Sequence, residues 1–582
     1  MKSLSSFLNF AFDQKLTVLY TMAAGAIIEN MSGRKLSYIL GVATFLLILC
    51  GLIPGLISPA PNSSMQYLAS KCVDKSGGQD DKKWYWPRGK GACTKLDHFD
   101  DPEAASQQLT AENIVFAFQM PLPRDNVQID FSRWQQTLMT VLSMDIEYED
   151  GFEHDARVHL LINARLGYRN KGDPPHAWKE YAHSFVHRNL DCDIDEPLKK
   201  VGYYYNCSTI PLFDLASLHH DYYLINLRIP SIYDYDGHEI SINDKLGKLV
   251  DLWLISIHQN GGFTKVWMSL KTIFFPAVII EMVWMYKRLQ LLPRPPTLIE
   301  KMLLALGTSL TLLNLPMEYL TLSFDMPWIN LFNDVKQGIF YAMLMVFWLV
   351  FVGEHLINDD DTHGHRNGLF DYWKKLTVVL VGSLCLFIFD LCERGVQLQD
   401  PFYSLWVTDL GSNVAKGFNM VAFICCCIYI TYLTYLITKV YKAINAKRSD
   451  ISAMRAVRRI HYEGLIWRFR FLMWATLICA TVTAIGFIIG QLAEGQYRWN
   501  DYVSLEYNSA FITFVYGLWN FYIMGLIFLY APSHKHQQQG RNSDEDDMGN
   551  NGEEIEFSVP SVSGEASEMS SLTSYLQHQA TD

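Results

Sequence analysis

The stretch Leu252–Trp284, LWLISIHQNGGFTKVWMSLKTIFFPAVIIEMVW, changes character in its middle. Before Asn260 the apolar residues Trp253, Ile255 and Ile257 fall at every second position. A period of two marks a strand with one buried face. From Trp267 apolar residues dominate for about 20 positions, the length at which a helix crosses a bilayer core. A strand of a folded domain therefore leads into a membrane span.

Runs of the second kind are read at 37–57, 267–286, 303–323, 336–355, 376–393, 416–438, 471–491 and 508–530. Lipid offers no partner to backbone polar groups, so all eight are expected to be helices. Basic residues set their direction. Loop 287–302 carries Lys287, Arg288, Arg294 and Lys301; loop 356–375 carries Arg366, Lys374 and Lys375; loop 439–470 is richer still. The loops between these are poor in charge of that sign, and the two kinds alternate. The basic loops and both termini are thus expected in the cytosol, and the long stretch 58–266 on the lumenal or extracellular side.

Stretch 58–266 has the content of an oxidising compartment. It carries Cys72, Cys93, Cys192 and Cys207, and glycosylation sequons NSS at Asn62 and NCS at Asn206. Four cysteines suggest two disulfides. Nearness favours Cys72–Cys93 and Cys192–Cys207 among three possible pairings. Alternation recurs through Phe116–Met120, Leu142–Tyr148, Val158–Tyr168 and Tyr223–Ile229. At least five strands with long connections predict an antiparallel β-sandwich. The division expected is an N-terminus 1–36, first span 37–57, sandwich 58–266, seven-helix bundle 267–530 and tail 531–582. The tail, with SDEDD and EEIEF, has the composition of a disordered acidic segment. The net charge of −12 averages over unlike segments and does not point to nucleic acid.

Chemistry is sparse. No HExxH, GxSxG or CxxC motif appears, so neither enzyme, metal nor cofactor is expected. His219 and His220, if on a strand, point to opposite faces and chelate poorly. Charges inside apolar runs, at Glu281, Glu318, Glu354, Asp390, Glu393 and Arg394, point to polar networks within the bundle. Glu318 follows Pro316, where a kink would free a carbonyl. In RRIHYEGLIWRFR, Arg458–Arg470, Tyr462 and Leu465 have the spacing that clathrin adaptors read on cytosolic segments; the same residues suit an interfacial amphipathic helix.

Several long strings resemble the Wntless (Evenness interrupted) family: GAIIENMSGRKLS, IHQNGGFTKVW, DVKQGIFYAML, GSLCLFIFDLCERGVQL, DPFYSLW, RRIHYEGLIWRFRFLM and FLYAPSHK, in family order from residue 23 to about 535. Residues 1–21 precede the start usual in that family, and the ending QHQATD differs from the lysine- and glutamate-rich retrieval signal of its vertebrate members. The resemblance implies a multi-pass α-helical membrane protein of eight spans, the last seven receptor-like, with a lumenal β-sandwich. It implies a carrier that binds palmitoleoylated Wnt proteins, shields the acyl chain and delivers them to the cell surface. It would pass through endoplasmic reticulum, Golgi, plasma membrane and endosomes, recycled by a clathrin adaptor at Tyr462 and Leu465 and by retromer. Its partners would be Wnt, these coats and membrane lipids. An acyl slot is then expected among aromatic and small residues of the fourth, fifth and eighth spans: Phe340, Tyr341, Met343, Gly382, Cys385, Phe387, Phe511, Phe514, Tyr516 and Trp519. The alternative, a receptor-like sensor coupled to G proteins, lacks an Asp/Glu-Arg-Tyr signature and an NPxxY motif. An acyltransferase would want a histidine within the membrane, and His355 sits at the end of its span.

Overall fold

The computed structural model describes residues 26–533 except 32, 76–82, 89–92, 97–110, 124–126, 128, 153–156, 236–237, 293, 355–371, 407–408, 452–469, 484 and 486–507. Its long helices are α1 (Gly33–Ile57), α2 (Gly261–Gln290), α3 (Leu298–Asn314), α4 (Ile329–Glu354), α5 (Trp373–Gln397), α6 (Asp409–Ile451), α7 (Arg470–Thr483) and α8 (Asn508–Tyr530). Seven of these, α3 together with the turn that follows it, are long and apolar enough to cross a membrane among the described residues; α7 is shorter. The span expected at 471–491 therefore lies only partly within the described residues.

Local chemistry explains the helix ends. At the junction the Asn260 side chain accepts a hydrogen bond from Gly262 N–H at 2.9 Å and starts α2. The apolar run alone would begin it later. Thr297 and Glu300 form a capping box at the start of α3. Pro316 cannot continue α3, which stops at Asn314; a single turn, Glu318–Thr321, follows the break.

The β-domain has two principal sheets. One has the order β1-β12-β4-β8, from Asn62–Leu68, Lys248–Gln259, Leu138–Glu147 and Ile210–Leu215. The other has the order β2-β3-β9-β5-β6-β7, from Ser70–Val73, Ile114–Met120, Tyr222–Arg228, Arg157–Arg169, Lys179–Asp193 and Asn206–Cys207. All the pairings are antiparallel. The inner faces share a core that includes Phe118, Leu142, Ile146, Leu160, Ile162, Ile225 and Leu227, the alternation expected for β3, β4, β5 and β9. In β12 the phase is reversed. Leu252 and Leu254 enter that core, whereas Ile255 and Ile257 join Val141 in a separate cluster on the other face. Both faces of this interior strand are covered, so its apolar content did not reveal which side was inner.

Cys72 joins Cys93, and Cys192 joins Cys207 across β6 and β7. Asn62 and Asn206 are exposed. His219 and His220 lie in the loop between β8 and β9 and not on a strand; their rings are 5.6 Å apart at 83°. No group able to hold a metal occurs among the described residues.

The connection after α5 plugs the sandwich. Phe402 is 2% exposed and sits in the sandwich core, 5.7 Å from Phe213. Arg188, on β6, donates to the Phe402 carbonyl at 2.6 Å, and Asp214 N–H donates to the Pro401 carbonyl at 3.1 Å. Across the base, Gln136 donates to the Glu318 carbonyl at 3.3 Å and to Thr321 at 3.1 Å. Sandwich and bundle are thus tied by buried hydrogen bonds on two sides.

Candidate functional site

Phe340 and Tyr341 lie on α4, about three turns below its start at 5.4 Å per turn. Opposite them stands Trp519 of α8, with ring centroids 5.4 Å from each. Trp519 is fixed by donating its indole N–H to Thr483 of α7 at 2.9 Å. One turn nearer the β-domain on α8, Tyr516 donates to Asn314 Oδ1 at 2.6 Å, and Asn314 donates to Asn520 at 2.6 Å. These buried amides and hydroxyls satisfy one another, as the bilayer interior requires. The result is an aromatic cluster walled by α3, α4, α7 and α8. Met343 and Phe511 pack against the same core while partly buried.

The remaining residues expected for a slot lie elsewhere. A Cβ at Gly382 would meet Cys425 of α6 at 3.2 Å, so Gly382 permits the α5–α6 approach and does not face the cluster. Cys385 is half-buried on the same helix, and Phe387 is 42% exposed. Phe514 packs on α1, where a Cβ at Gly51 would come within 3.3 Å of it. Phe514 and Tyr516, expected together as aromatics of one span, diverge in direction, the first toward Gly51 and the second toward Asn314. Tyr462 and Leu465 lie outside the described residues.

Above the cluster is a cavity of about 180 Å³, between the sandwich and the adjoining ends of α4 and α5. Tyr181, Asp214, Asn330, Leu331, Arg394 and Gln397 line it. Arg394 forms an ion pair with Asp214 of β8, lies 3.9 Å from Asp334 of α4, and donates to Gln397 at 3.2 Å. Burial, and then Asp325 and Tyr168, push the Tyr181 hydroxyl up to about 12, so it stays a neutral donor. Apolar side chains, among them Leu215, Leu331 and Leu398, share the lining with these polar groups, which suits a ligand that carries both a polar and an apolar part.

The cavity was not foreseen, because Asn330, Arg394 and Tyr181 come from three distant parts of the chain. One local signal was available: Asn330, Asn333, Asp334 and Gln337 carry polarity into the start of an apolar helix.

A bundle of apolar helices joined through two seams to an antiparallel sandwich defines a multi-pass membrane protein with a folded domain outside the membrane. Residues 260–534 match the family model Wntless-like, transmembrane domain, and residues 70–259 match Wntless, GOLD domain. Protein wntless of Drosophila persimilis is 48% identical over 568 residues, covering 96% of this chain and 100% of its own. Protein wntless of Drosophila virilis is 47% identical over 573 residues, with the same coverage. The chain belongs to the Wntless family.

Proposed function

We propose that this chain is a carrier for acylated Wnt proteins in the secretory pathway. It takes up the palmitoleoyl chain from the lumenal side, shields it, delivers Wnt to the cell surface and returns by endocytosis. The observation that favours this reading is the cavity at the α4 and α5 ends, placed above the Phe340–Tyr341–Trp519 cluster. An exposed acyl chain would hold Wnt in a membrane or drive aggregation. Each methylene removed from water contributes about 0.8 kcal/mol, so an apolar slot supplies most of the affinity. The sandwich would grip Wnt protein surface. With both termini cytosolic, Tyr462 and Leu465 would meet a clathrin adaptor, and retromer would return the carrier to the Golgi.

Co-purification tests the reading. Full-length chain in mild detergent should retain wild-type Wnt and lose most of a Wnt whose acylated serine is replaced by alanine. Equal recovery of the two would sink the acyl-carrier mechanism.

A further inference from the structure

Three buried charges stand near the β-domain side of the bundle. Lys271 of α2 is 5% exposed, Glu318 beyond α3 is 4% exposed, and Lys336 of α4 is 2% exposed. Lys271 pairs with Glu318 Oε1. A second buried cation, Lys336, lies within electrostatic reach of the same carboxylate. The Lys336 ammonium makes a single hydrogen bond among the described residues, a long one of 3.4 Å to the Leu315 carbonyl at the proline break. The Phe332 ring lies 5.1 Å from it. An ammonium offers three donors. A charge held this far from water with donors unused is costly unless something uses them.

Two acceptors near it are also unsatisfied among the described residues: Glu318 Oε2 and Asn333 Oδ1 are buried and have no hydrogen-bond partner there. Their placement on α4 is ordered. Asn330 lines the cavity. Asn333 and Lys336 follow at successive steps of three, and Phe340 of the aromatic cluster follows at a step of four. Such spacing keeps all four on neighbouring parts of one helix side. From Asn330 to Lys336 the helix descends about 9 Å at 1.5 Å per residue. The under-used polar groups therefore lead from the cavity to the top of the apolar cluster.

We propose that Lys336 is the donor that binds the carbonyl oxygen of the acyl ester. Glu318 Oε2 and Asn333 accept from peptide N–H groups beside that ester. This rests on the carrier reading and deepens it. An acyl chain attached through serine has one carbonyl, at the point where apolar chain meets protein. A cation at that level recognises the linkage as well as the chain. A hydrogen bond from an ammonium in a dry site is among the stronger kinds.

The test uses full-length chain in detergent and three synthetic Wnt hairpin peptides: unacylated, palmitoleoylated through a serine ester, and carrying the same chain through an ether. The ether keeps the methylenes and lacks the carbonyl. Wild-type chain should bind the ester peptide about tenfold more tightly than the ether peptide, ~1.4 kcal/mol. Lys336→Met should bind both equally, near the ether level, and should melt no lower than wild type, because it removes a buried charge. Lys336→Arg keeps a donor and should keep a preference for the ester. Equal binding of ester and ether by wild type overturns the proposal without recourse to any variant. So does an ester preference that survives in Lys336→Met. If wild type binds neither acylated peptide better than the unacylated one, the carrier reading itself fails.

Discussion

Arg394, at the last turn of α5, forms an ion pair with Asp214 at the end of β8, and so joins a membrane helix to the sandwich across the rim of the cavity. Its side chain is 35% exposed and that of Asp214 20%, so water screens part of the attraction. We expect the double-mutant cycle Arg394→Ala with Asp214→Ala, followed by thermal unfolding in detergent, to give a coupling of about 1 kcal/mol. A coupling indistinguishable from zero would mean that the pair does not hold the domains together.

Phe402 plugs the same seam. Truncation of a fully buried phenylalanine costs about 3–5 kcal/mol. Phe402→Ala should lower the melting temperature and increase hydrogen exchange in residues 400–405 and in β8. Unchanged exchange in β8 would show that the insertion contributes little to the sandwich.

The cavity can be filled without touching the aromatic cluster. Asn330→Trp should reduce capture of acylated Wnt at least fivefold while leaving glycosylation and melting close to wild type. Gly382→Trp should act differently. It faces Cys425 at the α5–α6 seam, and is expected to lower stability by prising those helices apart. Normal Wnt capture by the Asn330 variant would place the entrance elsewhere.

Two histidines of the sandwich give an acid limit. Burial depresses His220 below 6.5, with His219 adding to the effect; burial also depresses His258. The folded state then binds fewer protons than the unfolded chain. Their contribution is present in full above the unfolded value of 6.5 and is lost as pH falls through the folded values. The melting temperature should decline as pH falls below about 6.5. A His220→Asn, His258→Gln variant should show a shallower decline. An equal slope in wild type and variant would assign the acid sensitivity to other groups.

Tyr462→Ala should raise surface abundance and reduce Wnt output over repeated transport cycles. Antibody uptake measures this directly. Uptake at the wild-type rate would remove the sorting role from Tyr462 and Leu465.

Much of the architecture was legible in the chain because its causes are local. Membrane spans appear as apolar runs, since lipid cannot hydrate a backbone. Strands β3, β4, β5 and β9 appear as alternation, since the face toward the main core carries the larger apolar side chains and the other face is mixed. The end of α3 was written in Pro316, which lacks an N–H. Long family strings carried the identity. What the residues could not settle were directions and meetings. Strand β12 has apolar side chains on both faces, and only its place between β1 and β4 made Leu252 and Leu254 inner. Phe514 and Tyr516 share a helix, but packing turned one toward Gly51 and the other toward Asn314. The cavity, the Arg394–Asp214 pair and the Lys271–Glu318 pair join residues widely separated in sequence, and no local pattern encodes such pairs. A helix or strand follows from the solvent preference of its own residues, whereas a site arises where several elements close on one another and decide which polar groups are left without water.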